Sequence, residues 1–229
     1  MKQVFFLISL LLTCSCLPDY NKIVDRINFA RTDPQAFALL ISARYNNLPD
    51  AAAAVQYLQT SPTLPALTVN QGVHAAAQLH ANYLKTRTVL TIPYMGCTGS
   101  HIENRINQVG TLAQVGENIV TMIEDEEEIV VKWIIDADSF NKVNRRNIFE
   151  KGFDVIGVGV SDGPYSKNIV VVDFAGGFMC NDPCPNVPTQ DVGYYCTANP
   201  YTYGNSGIIL SARTVMTLFG LVWLIVCIF

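Results

Sequence analysis

The spacing of apolar residues changes character along this chain. Residues 4–12 and 215–229 are nearly unbroken apolar runs, whereas the stretch between them mixes apolar and polar positions with the periods of folded elements. Tyr20, Ile23, Val24 and Ile27 recur at helical spacing behind Asp19, which predicts a first helix with an aspartate N-cap. Asp33-Pro34 places a cap and a first-turn proline ahead of a second helix over 35–44. Asp50 is positioned to cap a third over 51–59. After Pro62 and Pro65 break the chain, Asn70 opens a fourth over 71–85. A further helix is expected over about 126–135. The period then shortens: 155–160 and 169–174 are β-rich runs, and Asp162-Gly163-Pro164 between them is a turn signal, so the two runs should pair antiparallel. Helices first and a hairpin later predict an α+β fold, with helices packed on an antiparallel sheet. From Cys180 to Gly204, Pro, Asn, Tyr and Cys accumulate without period, and no internal repeat is visible.

The two apolar runs carry the signals of targeting segments. Lys2 precedes the first run, and the small residues Thr13, Cys14, Ser15 and Cys16 follow it, which is the order of a secretory signal peptide over 1–16. A lipoprotein reading of Cys14 or Cys16 is the lesser alternative, because the residues before them fit such a cleavage box poorly. At the other end, Asn205-Ser206-Gly207 supplies three small residues, 208–213 a short spacer, and 215–229 an uncharged tail. That layout is expected of a glycosylphosphatidylinositol (GPI) anchor signal, with Asn205 as the attachment site. The alternative is a retained transmembrane helix over 208–229, about the length a bilayer core requires at ~1.5 Å per residue. Arg213 would then lie inside the span, where a charge is costly. The expected organisation is therefore a signal peptide (1–16), a single domain (17–179), a Cys/Pro-rich tail (180–205) and a C-terminal anchor signal or membrane helix (206–229).

Composition sharpens this picture in two respects. The net charge of -4 and the lack of a basic cluster argue against nucleic acid as a partner. Of seven cysteines, Cys14, Cys16 and Cys227 lie in the terminal segments, leaving Cys97, Cys180, Cys184 and Cys196. In an oxidising compartment these four are expected to form two disulfides, with three pairings open. A metal site on Cys180, Cys184 and Cys196 is the weaker rival. The chain contains no Asn-x-Ser/Thr acceptor for N-glycans.

Five stretches, in order, resemble one family. Ile23-Val24-Asp25-Arg26-Ile27-Asn28-Phe29-Ala30-Arg31 with Asp33-Pro34, and Leu64-Pro65-Ala66-Leu67 before an Ala-rich helix, are similar to the opening of a CAP domain. This is the superfamily of cysteine-rich secretory and pathogenesis-related proteins, also called SCP-like. Gly116-Glu117-Asn118-Ile119, then Arg145-Arg146-Asn147-Ile148-Phe149, then Ile156-Gly157-Val158-Gly159-Val160 resemble its most recognisable motifs. The order and spacing are most similar to its bacterial and protist branch, over roughly residues 18–178. The resemblance implies an α-β-α sandwich, a secreted setting, and a cleft that in many members is lined by two histidines and two acids able to hold a divalent metal.

Carried over residue by residue, that cleft is incomplete. Glu117 matches the first acid, and Asp136, three residues after Trp133, stands where the second follows the tryptophan. Asn144 replaces the histidine expected before the Arg-x-Asn-Ile motif, and Cys97 stands at the position of the other, with His101 four residues on as a possible substitute. Zinc favours imidazole or thiolate and usually takes three or more protein ligands. No cofactor is therefore expected, with Glu117 and His101 only weak candidates for a divalent metal. His74 and His80, six residues apart on one helix, lie about 240° apart around its axis and cannot chelate one ion together; they are expected to be a surface or packing pair. Trp133 is expected in the core. The acidic run 124–128 is expected to be a solvated helix start favoured by the macrodipole rather than a calcium site.

Two kinds of function follow. A secreted metal-assisted hydrolase would use Glu117 as general base with His101, but the chain has no Gly-x-Ser-x-Gly elbow and no His-Glu-x-x-His helix. The favoured expectation is a non-catalytic, membrane-anchored extracellular module that binds a lipid, sterol, peptide or protein through the degenerate cleft at Glu117, Asp136, His101 and Asn144. Contact through the tail, 180–203, is a third route.

Overall fold

The computed structural model describes residues 17–85, 102–139, 141–163 and 168–180. The caps foreseen in the sequence open three of the first four helices. Asp19 accepts from Asn21 N (2.9 Å) at the start of α1 (Tyr20–Thr32), and Asp33 accepts from Ala36 N (3.0 Å) at the start of α2 (Pro34–Arg44). Asn70 Oδ1 accepts from Gly72 N and Val73 N before α4 (Gln71–Lys85). The exception is α3 (Ala51–Thr60). Asp50 precedes it in a left-handed conformation, φ 62°, and makes no side-chain cap; its carboxylate instead takes Lys142 Nζ at 2.8 Å.

Four strands form the main sheet: β1 (Thr68–Val69), β3 (Gln114–Thr121), β4 (Val155–Ser161) and β5 (Ile169–Gly176), in the order β1-β4-β5-β3. β4 and β5 pair antiparallel as expected, and β3 adds antiparallel on the outer side of β5. The expectation of a purely antiparallel sheet needs one correction, since β1 runs parallel to β4. A two-residue strand shows no alternation, so the pattern of residues carries no trace of it. A separate ribbon pairs β2 (Gly110–Thr111) with β6 (Met179–Cys180). The remaining helices are α5 (Ile102–Asn107), α6 (Glu126–Ile135) and α7 (Val143–Ile148).

The period-2 alternation of the strands sorts the core into two layers. Ile156, Val158, Val170, Val172 and Phe174 join Ile23 and Ile27 of α1, Phe37 of α2, Leu58 of α3 and Trp133 of α6 in the larger core. On the other face, Ile169 and Val171 meet Ala77, Ala81 and Leu84 of α4, and Ala175 meets Val73, Ala76 and α5's Ile106. Helices thus cover both faces of the sheet. The α4 face is tight at the middle of β4, which presents two glycines there: a Cβ on Gly157 would stand 2.2 Å from His74 N, and one on Gly159 2.3 Å from Ala77 O.

Arg31, 1% exposed, ties the two halves together. Its guanidinium donates to the carbonyls of Pro65 (3.0 Å), Ile148 (2.6 Å), Glu150 (3.1 Å) and Phe153 (3.4 Å). These serve segments that have no strand or helix partner for their carbonyls. Among the described residues no helix is long and apolar enough to cross a membrane; both terminal segments and the tail beyond Cys180 lie outside them.

Candidate functional site

β3 is an edge strand, and its outward carbonyls need donors. They receive them from α6 and α7: Trp133 Nε1 donates to Ile119 O (3.3 Å) and Asn147 Nδ2 to Glu117 O (3.0 Å). Asn118, fully buried, locks the same seam by donating to Asn144 O (3.0 Å) and accepting from Asn147 Nδ2 (2.9 Å). The Gly-Glu-Asn-Ile and Arg-Arg-Asn-Ile stretches therefore contact each other directly. A cavity of about 240 Å³ lies beside this seam, lined among others by Glu117, Ile119, Trp133, Asp136, Ser139 and Asn144.

Of the four cleft residues expected from sequence, the structure brings Glu117, Asp136 and Asn144 to one cavity. His101 lies outside the described residues, as do Cys97, Cys184, Cys196 and Asn205; Cys180 ends β6. Asp136 follows α6 in a left-handed conformation, φ 51°, and turns its carboxylate onto the start of α7. Oδ2 accepts from Asn144 N (2.9 Å) and Arg145 N (3.3 Å), and Oδ1 from Asn144 Nδ2 (2.7 Å). Asp136 is 4% exposed, and both its oxygens are engaged. Arg145 reciprocates by donating to the end of α6, at Ile134 O and at Ile135 O (2.8 Å).

Glu117 belongs to a second, deeper cluster. Its Oε2 accepts from Arg105 of α5 and lies 2.7 Å from His80 Nδ1 of α4. Arg105 also reaches Asp173 Oδ1 (3.4 Å), so the one guanidinium faces both carboxyls. Glu117 and Asp173 are register partners on neighbouring strands, and Gly157 is the partner of Asp173 on its other side. The side chains of Asp173, His80 and Arg105 are 0%, 5% and 6% exposed, against 20% for Glu117, so only Glu117 communicates with the cavity.

Burial decides the protonation of this cluster. It pushes the Asp173 carboxyl up to about 8, the Arg105 guanidinium opposing and the Glu117 carboxylate adding to the shift. Glu117 is raised as well, again by burial, with Arg105 opposing. His80 falls to about 4 through burial and the adjacent Arg105, so its ring is neutral and Nδ1–H donates to Glu117. At neutral pH the proton of the carboxyl pair sits on Asp173 and the charge on Glu117, balanced by Arg105.

Sequence reasoning assigned His80 to a surface or packing pair. It is instead the buried partner of Glu117, while His74 packs against Tyr20 with the rings tilted by 48° and their centroids 5.0 Å apart. Nothing in the local sequence marks Arg105 or Asp173, because only register and the α4–α5 packing bring them to Glu117. Trp133 is in the core, 1% exposed. The acidic run is not wholly solvated: Asp125 caps α6 through Glu128 N (2.9 Å), and Glu127 is buried among Arg44 (2.8 Å), Tyr45 (3.1 Å) and Arg26 (3.6 Å). Burial and Glu127 raise the Tyr45 hydroxyl to about 12.

The described residues do not fit a divalent metal. Among them no three His, Cys, Asp or Glu side chains converge as ligands. Asp136 has given both oxygens to α7, Asn144 stands where an imidazole would be needed, and Glu117 already accepts from a guanidinium and an imidazole.

With the geometry in hand, comparison places the chain among known proteins. The family model of the cysteine-rich secretory protein family, CAP, matches residues 24–174. No curated protein sequence matches the chain. Among solved structures, an extracellular protein containing a SCP domain from Bacillus anthracis is 20% identical, with a TM-score of 0.41 over 56% of this chain and 38% of that one. A cysteine-rich secretory protein from Staphylococcus aureus is 11% identical, with a TM-score of 0.41 over 68% of this chain and 38% of that one. An outer surface protein from Borrelia burgdorferi is 18% identical, with a TM-score of 0.39 over 64% of this chain and 94% of that one. This chain thus matches well under half the length of the first two.

Proposed function

This chain belongs to the cysteine-rich secretory protein (CAP) family, and on that premise we propose that it is an exported, membrane-tethered surface module that acts by binding a ligand in the cleft beside β3. One observation carries this reading. Glu117 and Asp136 line the same cavity, yet each carboxylate already accepts from the protein's own donors. Both oxygens of Asp136 are engaged and the Glu117 carboxylate is already answered by Arg105, which weakens either as a general base or metal ligand. Carboxylates held in this way are fixed recognition groups instead.

Export and tethering are supported by the signal-peptide order of residues 1–16 and by the small-residue site and uncharged tail over 205–229. In such a compartment Cys97, Cys180, Cys184 and Cys196 pair as two disulfides that pin the tail after the domain. Release from cells by a phosphatidylinositol-specific phospholipase tests the GPI anchor; retention after that treatment and after alkaline washing favours a membrane helix.

Calorimetric titration of the full chain with zinc and with calcium, beside Glu117→Ala, tests the cleft. A folded protein giving no heat beyond dilution supports a binding module. Tight, saturable metal binding lost in the variant would overturn it in favour of the hydrolase, with His101 supplying the missing ligand.

A further inference from the structure

We infer that the cleft takes an uncharged, hydroxyl-bearing ligand, the size of a single sugar or polyol ring, and excludes small ions of either sign. The inference rests on the binding-module reading and adds the ligand class. Its basis is that every charged group at the cavity already has a counter-charge within the protein. Glu117 is balanced by Arg105, and the neighbouring Asp173 stays protonated. Asp136 is held by the amides at the start of α7, and Lys142 Nζ donates to its backbone carbonyl (2.9 Å). Asp138 pairs with Lys132 at 3.1 Å.

An arriving cation would have to compete for Glu117 with a guanidinium that is only 6% exposed. Displacing one partner of a buried pair leaves an uncompensated charge and is strongly unfavourable. An arriving anion would meet three acids against one lysine, Lys132, which is already paired with Asp138. A neutral ligand avoids both penalties.

The polar groups left over define what that ligand presents. A carboxylate offers about four acceptor positions. On Glu117, Arg105 and His80 both take Oε2, and no hydrogen bond among the described residues uses Oε1, which is left as an acceptor for the cavity. Asn144 donates through Nδ2 to Asp136, and no hydrogen bond among the described residues uses its Oδ1. Ser139 Oγ accepts from Val143 N (3.2 Å), which leaves its hydroxyl proton to donate. Two acceptors and one donor beside the apolar surface of Ile119 and Ala137 match the hydroxyls and ring carbons of a polyol. At about 240 Å³ the space falls below the ~300–1,000 Å³ of pockets for drug-sized ligands, so one ring fills it.

The test is a titration of the isotopically labelled full chain, following the Trp133 indole and Asn144 side-chain amide resonances by NMR. The probes are methyl glucoside and myo-inositol as neutral polyols, and tetramethylammonium and acetate as ions. Saturable shifts with at least one polyol and none with either ion are expected. Asn144→Ala and, independently, Ser139→Ala should each weaken that binding roughly tenfold, the effect of losing about one hydrogen bond. The second variant decides the matter if the first unfolds. Saturable binding of an ion without any polyol would overturn the ligand class and leave the binding module standing. No response to any probe from a folded protein would overturn both.

Discussion

Glu117 on β3 and Asp173 on β5 stand directly opposite each other in an antiparallel ladder, two acids on the sheet face that α4 covers. Like charges so placed destabilise a sheet. The structure resolves the conflict with one proton on Asp173, one guanidinium from Arg105 and one neutral imidazole from His80. Several measurable consequences follow from this arrangement and from the contacts that frame it.

Stability should fall as pH rises from about 6.5 to about 8. Folded Asp173 keeps its proton to about 8, while an unfolded aspartate loses its own near 4, so the folded chain binds more protons in between and loses stability as pH rises. His80 acts in the opposite sense. It is protonated below about 6.5 when unfolded but only below about 4 when folded, so its contribution is lost as pH falls from 6.5 to 4. The two slopes oppose each other up to about 6.5, and above it the Asp173 slope, about 1.4 kcal/mol per pH unit for one proton, is no longer offset by His80. Urea denaturation of wild type and Asp173→Asn from pH 5 to 9 checks this. The downward slope above pH 6.5 should disappear in the variant.

His80 should show no imidazole titration between pH 5 and 7, visible as unchanging ring carbon and proton shifts over that range. Replacing it by alanine removes a donor from the buried Glu117 and should destabilise the fold by about 1–3 kcal/mol, measured by denaturant unfolding.

Asp136→Ala removes the acceptor at the start of α7 and should cost about 1–2 kcal/mol. Asp136→Asn retains an acceptor oxygen and should cost less. The ordering of the two midpoints distinguishes a capping role from a purely electrostatic one, in which both variants would lose equally.

Arg31→Ala should be the most damaging of these substitutions, at about 3 kcal/mol or more, because four backbone carbonyls lose a charged donor at once. Thermal unfolding of the purified variant, or its failure to accumulate in folded form, is the readout.

Gly159→Ala places a methyl carbon 2.3 Å from the backbone oxygen of Ala77, which cannot move without displacing α4. A loss of about 1–3 kcal/mol is expected, with the His80 resonances perturbed because the displaced helix carries that ring.

Much of the framework was legible from local chemistry. α6 and the start and end of α4 follow from caps and helical spacing, and the β4–β5 hairpin from β-rich runs around a turn signal. These features are written within a few residues, as a side-chain oxygen reaching an amide two or three positions on, or an alternation that buries one face. Asp50 shows the limit: its type fits a cap, but Lys142, far along the chain, claims its carboxylate. β1, β2, β6, α5 and α7 are too short to show a period, and β3 carries a recognisable motif over only four of its residues, Gly116 to Ile119.

The sequence by itself determined the helical first half, the hairpin, the family motifs and the presence of Glu117, Asp136 and Asn144 at one cleft, because local pattern and ordered motifs survive without coordinates. Only the tertiary structure decided what those residues do. The register of β3 against β5 sets Glu117 opposite Asp173, and Gly157 and Gly159 of β4 let α4 bring His80 down onto them. Burial then fixes where the single proton resides. Each of these depends on groups distant in sequence sharing a low-dielectric space, and the energy of a charge there is set by its neighbours rather than by its own residue type.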